Sequence, residues 1–126
     1  MSFSKHDMIK RQRKYVLDIL RMIEDLPNGY SYGVIGRQLT RCSTSIGANY
    51  RAACRAKSSA DFINKLKIVE EEADECLYFM DLLSELKGTN LDALNELLNE
   101  GEEILAIVVA SIKTAVSNRK IKNQKP

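Results

Sequence analysis

Apolar residues recur in steps of three and four along nearly the whole chain, in four stretches separated by short breaks, and that pattern leaves little room for any fold but a helical bundle. The first stretch runs from about Lys5 to Leu26, with Met8, Gln12, Tyr15, Ile19, Met22, Ile23 and Leu26 on one face, and Pro27-Asn28-Gly29 ends it. The second runs from about Tyr32 to Arg55 and aligns Ile35, Leu39, Cys42, Ile46, Asn49, Tyr50 and Ala53. The third, from about Ser59 to Lys87, carries Phe62, Leu66, Val69, Ala73, Cys76, Met80, Leu83 and Leu86, with Gly88 placed as its C-cap. The fourth, from about Asn90 to Arg119, places Leu91, Leu94, Leu98, Gly101, Leu105, Val108, Ile112 and Ala115 at coiled-coil a and d positions. No stretch alternates with period two, so no strand is expected.

Start signals agree with these limits. Ser4-x-x-Asp7, Ser58-x-x-Asp61 and Thr89-x-x-Asp92 each put a side-chain oxygen at an N-cap and a carboxylate three residues on, at the positive end of the helix dipole. Short turns force each helix to run antiparallel to the next. The expected fold is therefore all-α, an up-down-up-down four-helix bundle about 35–45 Å long. It occupies residues 1–119 as one domain, followed by a basic, flexible tail at 120–126.

A chain of 126 residues can bury a core without a disulfide or a metal. Cys42, Cys54 and Cys76 are odd in number and lack C-x-x-C spacing, so they read as small buried hydrophobes in a reducing compartment. The N-terminus is polar from the start, and the longest apolar run, Ile104 to Ala110, is seven residues. Neither a secretory signal nor a membrane span is expected, and the localisation is read as cytoplasmic.

The formal net charge of +2 hides a segregation. Residues 1–57 hold 11 Lys and Arg against 4 Asp and Glu, residues 58–118 hold 4 against 13, and residues 119–126 hold 4 against none. Within the second helix, at about 100° per residue and with Arg37 as zero, Arg41 falls at about 40°, Arg51 at about −40° and Arg55 at about 0°. The four arginines form a stripe behind the apolar face, over a floor of Thr44, Gly47, Ala48 and Ala52, and Lys57 follows just beyond it. Two uses fit the stripe. Guanidinium groups spaced by turns of a helix can each meet a phosphate of RNA or DNA. They can equally pair with the acidic third helix, where Glu70, Glu71, Glu72, Asp74 and Glu75 crowd together, within one subunit or between subunits.

Catalytic chemistry finds no foothold in the pattern. A carboxylate-bridged di-metal site would need Glu-x-x-His pairs facing inward, and the single histidine, His6, lies near the N-terminus. Gly29, Gly33 and Gly36 surround a turn without the Lys-Ser/Thr of a P-loop, and no nucleophile elbow or Cys/His pair is present. The expectation is a non-enzymatic protein without cofactor or metal. Asn49 and Gln38, at the edge of the apolar face, are candidates for buried hydrogen bonds that fix helix register.

One segment is more specific than a generic bundle: Leu26-Pro27, Tyr32, Gln38-Leu39-x-Arg41 and Ser45-Ile46-Gly47-Ala48-Asn49-Tyr50, then Ser58-x-x-Asp61-Phe62. Over about residues 10–118 the chain resembles the bacterial four-helix bundle proteins encoded in intervening sequences of 23S ribosomal RNA genes. It departs from their usual N-I-A-E-G by reading Asn49-Tyr50-Arg51-Ala52-Ala53, which lengthens the second helix and adds charge. The resemblance implies a homopentameric ring. By similarity to the accessory proteins of diversity-generating retroelements, it also implies a basic surface that binds nucleic acid. The expected function is thus a self-associating bundle that binds structured RNA, or an RNA–protein complex, through Arg37, Arg41, Arg51, Arg55 and Lys57, helped by the basic tail. The alternative is an oligomeric interaction scaffold whose arginines serve subunit interfaces.

Overall fold

In the computed structural model, which describes residues 4–124, four helices follow one another: α1 Lys5–Glu24, α2 Tyr30–Cys54, α3 Ser59–Ser84 and α4 Leu91–Gln124. Each packs against its neighbours in sequence, and α1 also meets α4, closing the all-α four-helix bundle. The α2–α3 seam is the most extensive and the α1–α4 seam the sparsest.

Two of the three expected caps form as read. Ser4 Oγ accepts from the Asp7 N–H and Ser58 Oγ from the Asp61 N–H, both at 3.0 Å. At α4 the cap is Asn90, whose Oδ1 accepts from the Ala93 N–H at 3.2 Å. Thr89 instead turns back to donate from Oγ1 to the Leu83 carbonyl at 3.0 Å, closing the end of α3. The helix α3 stops at Ser84, before the expected Lys87, so Gly88 is not its cap. It serves a close approach: a Cβ there would lie 2.4 Å from Pro27 Cγ, and its N–H donates to Tyr32 Oη at 2.9 Å, tying the α3–α4 turn to the α1–α2 turn. The helix α4 does not end at Arg119, because no Gly or Pro falls between residues 119 and 124 and Arg119, Lys120 and Lys122 are good helix formers. Residues 120–124, read as tail, continue it, and residues 125–126 lie outside the described residues.

The core faces of the first three helices follow the expected spacing except at the start of α3, where Ile63 is buried and the expected Phe62 only flanks the core. Met8, Gln12, Tyr15 and Ile19 are buried from α1, Leu39, Cys42, Ile46, Tyr50 and Ala53 from α2, and Leu66, Val69, Ala73, Cys76, Met80 and Leu83 from α3. In α4 the face is rotated. Leu94, Leu97, Gly101, Ile104 and Val108 are buried, whereas Leu91 is half exposed and Leu98, Leu105 and Ile112 only flank the core. Gly101 lets α1 and α4 close on each other, since a Cβ there would sit 2.4 Å from Tyr15 Oη and 2.8 Å from Leu77 Cδ2.

At 1.5 Å per residue α4 is about 50 Å long and α1 about 30 Å, so the last turns of α4 reach past the start of α1. No helix of the described residues is long and apolar enough to cross a membrane.

Candidate nucleic-acid interface

Antiparallel packing turns the charge blocks of the sequence into a charge gradient along the bundle axis. The contacts Ile23–Gly36, Cys42–Cys76 and Tyr15–Gly101 set the levels of the four helices against each other. The half made of residues 4–14, 45–73 and 102–124 carries 14 Lys and Arg against 7 Asp and Glu. The opposite half, residues 15–44 and 74–101, carries 4 against 10. One end of the molecule is basic and the other acidic.

The polarity sharpens at the basic tip, where α1 and α3 begin and α2 and α4 end. Residues 4–10, 49–66 and 109–124 contain ten Lys and Arg and only two acids, Asp7 and Asp61. Both acids sit in the first turns of helices, beside capping serines. Salt bridges among the described residues engage Arg11, Lys14, Arg21 and Arg41, and none involves the ten cations of this tip. A cleft of about 370 Å³ opens there between the starts of α1 and α3 and the ends of α2 and α4, its lining including Lys5, Cys54, Ser58, Phe62, Arg119 and Lys122. Lys5 Nζ lies 5.2 Å over the Phe62 ring, which fixes the ammonium at the cleft wall.

The arginine stripe is divided by this gradient. Arg37, Arg41, Arg51, Arg55 and Lys57 are all exposed. Arg51, Arg55 and Lys57 belong to the basic tip, where Lys5, Arg119, Lys120 and Lys122 join them. Arg37 and Arg41 lie in the acidic half, and Arg41 is spent within the subunit: Nη1 reaches Glu72 Oε2 at 3.0 Å and Nη2 reaches Glu75 Oε2 at 2.9 Å. Its Nε donates to Gln38 Oε1 at 3.1 Å. The hydrogen bond from Arg41 holds the Glu75 carboxyl below its ordinary value, while burial and the neighbouring Glu75 push Glu72 up. The pairing of the stripe with helix 3 therefore holds for Arg41, and the free-cation description holds for the C-terminal part of α2.

The register candidates are satisfied locally. Asn49 Nδ2 donates to the Ser45 carbonyl and to Ser45 Oγ at 3.0 and 2.9 Å, and Gln38 serves Arg41. The polar groups that enter the core are Gln12 and Tyr15 of α1. The Gln12 amide atoms and Tyr15 Oη are buried without a hydrogen-bond partner among the described residues. No group of three or more His, Cys, Asp or Glu able to hold a metal occurs among the described residues. His6 is exposed.

What the single-helix reading missed is the contribution of Lys5, Lys10, Lys65 and Lys113, which come from three other helices. The signal was available in the antiparallel order itself, which places residue 5 beside residue 59 and residue 119.

The model of the family described as 23S rRNA-intervening sequence protein matches residues 4–110 of the chain. Among solved structures, a protein of unknown function from the S23 ribosomal protein family of Bacteroides thetaiotaomicron VPI-5482 is similar at 31% sequence identity and a TM-score of 0.78. The match covers 86% of this chain and 97% of that one. A search of curated proteins returns no match.

Proposed function

The chain belongs to the 23S rRNA-intervening sequence protein family, and from that premise we propose that it is a non-enzymatic, self-associating bundle that binds structured RNA through its basic tip. The observation that carries this reading is the tip itself: ten cations against two acids, drawn from four helices and the α2–α3 turn, with the acids held at helix starts. Arg51 and Arg55 stand one helical turn apart, about 6 Å along the axis, a spacing that suits adjacent phosphates of one strand. Arg119, Lys120 and Lys122 on the overhanging end of α4 extend the same surface. The site residues are thus Arg51, Arg55 and Lys57 with Lys5, Arg119 and Lys122, while Arg41 serves the α2–α3 seam. The test is a titration with a structured RNA at two salt concentrations. Retention at low salt that weakens in Arg51→Ala/Arg55→Ala supports the proposal, and absence of retention at low salt overturns it.

Self-association has its own support. Val16, Leu17 and Leu20 on α1 are only partly buried and stand outside the residues that pack on the core. An apolar row of this kind suits a subunit contact, and the resemblance implies five subunits. The scaffold alternative, in which the arginines hold subunits together, draws no support from Arg41, whose guanidinium is already held by Glu72 and Glu75 of its own chain.

A further inference from the structure

The sulfur atoms of Cys42 and Cys76 lie 3.1 Å apart in the middle of the bundle, on opposite sides of the α2–α3 seam, and neither residue is exposed. This is closer than two sulfurs rest when they only pack, and the 33 residues between them fold back through a single turn. A bond would require the pair to close by about 1 Å, since a disulfide spans about 2.05 Å. The core around them is built of Leu39, Ile46, Ala73 and Met80.

We infer that Cys42 and Cys76 form an intramolecular redox pair, which hydrogen peroxide or another small neutral peroxide converts to a disulfide joining α2 to α3. The two thiols divide the roles. Cys76 donates its S–H to Cys42 Sγ, and that bond, together with the nearby Arg41 charge, holds the Cys42 thiol below its ordinary value against the cost of burial. Giving the bond and being buried push Cys76 up. Cys42 is therefore the attacking sulfur. Its thiolate takes one peroxide oxygen to become a sulfenic acid, and the other oxygen leaves and is protonated to water. Cys76 sulfur then attacks Cys42 sulfur, the S–O bond breaks, and the sulfenic oxygen leaves as a second water carrying the remaining proton. Two thiols lose two electrons and two protons, and one peroxide becomes two waters. Cys54, half buried at the far end of α2, takes no part.

The experiment treats the folded Cys54→Ser protein with hydrogen peroxide, removes the oxidant, denatures the chain and alkylates it. The expected result is no alkylation, an intact monomer lighter by two hydrogens, and a tryptic product joining residues 42–51 to residues 68–87. In the unmodified chain the same treatment leaves Cys54 as the one alkylated cysteine, a readout that survives if the variant folds poorly. Dithiothreitol should restore both thiols. Two alkylated cysteines in the variant, separate sulfinic or sulfonic acids at 42 and 76, or cross-links between chains would overturn the inference.

Discussion

Arg41 on α2 and Glu75 on α3 hold each other at 2.9 Å across the outer edge of the bundle's largest seam, with Glu72 as the second carboxylate on the same guanidinium. This relationship separates Arg41 from the arginines that share its helix face. It also makes Arg41 experimentally distinct from Arg51 and Arg55. Arg41→Ala should leave RNA affinity within about twofold of the unmodified protein and lower the thermal midpoint only slightly, as exposed ion pairs are weak. Filter retention and a melting curve check both.

Tyr15 and Gly101 form a tight contact between α1 and α4. Gly101→Ala adds a methyl where Tyr15 Oη and Leu77 Cδ2 already stand within 3 Å, and should cost about 1–3 kcal/mol in urea unfolding. Tyr15→Phe removes a buried hydroxyl without a partner among the described residues, so alone it should cost no stability. Combined with Gly101→Ala it should recover part of the loss, because the phenolic oxygen is the nearest obstruction.

Burial pushes Tyr50 from its ordinary value of 10.0 up to about 12, and Tyr15 is raised by the same cause. A raised value means that the unfolded chain gives up the proton first. Their contribution to stability is complete below pH 10 and is lost as pH climbs through the folded values. Unfolding free energy should fall from pH 10 to pH 12, and Tyr50→Phe should make that fall shallower.

Leu17 and Leu20 lie on the outer side of α1 beside Val16, outside the residues that pack on the core. Leu17→Asp should lower the assembled mass in sedimentation while leaving the helical signal of the subunit intact. An unchanged mass would remove α1 from the subunit contact.

The architecture was legible because heptad spacing in α1 to α3 is set by residues that have no other use: Ile19, Leu39, Leu66, Val69 and Met80 can only go inside. In α4 the same reasoning chose Leu91, Leu98 and Leu105, since Leu97 and Ile104 are equally apolar and only packing against Tyr15 and Leu77 decides between the two faces. Thr89 was read as a cap because it precedes an acid by three residues, but Asn90, one position later, meets the Ala93 N–H. The candidate site was half legible. One helix's periodicity places Arg37, Arg41, Arg51 and Arg55 on one face, yet it says nothing of Glu72 and Glu75 across the seam or of Lys5 and Arg119 beside the helix end. Those neighbours set the paired Arg41 apart from Arg51 and Arg55, and leave Arg37 distinguished only by its place in the acidic half.

The central claim is that RNA is held by the basic tip and not by the whole stripe. It is tested most directly by measuring the salt dependence of RNA affinity for three proteins: unmodified, Arg51→Ala/Arg55→Ala, and Arg37→Ala/Arg41→Ala. The Arg51/Arg55 variant is expected to lose affinity and about one unit of slope per phosphate contact removed, while the Arg37/Arg41 variant follows the unmodified protein. Equal losses in both variants, or loss only on changing Arg37 and Arg41, would contradict it.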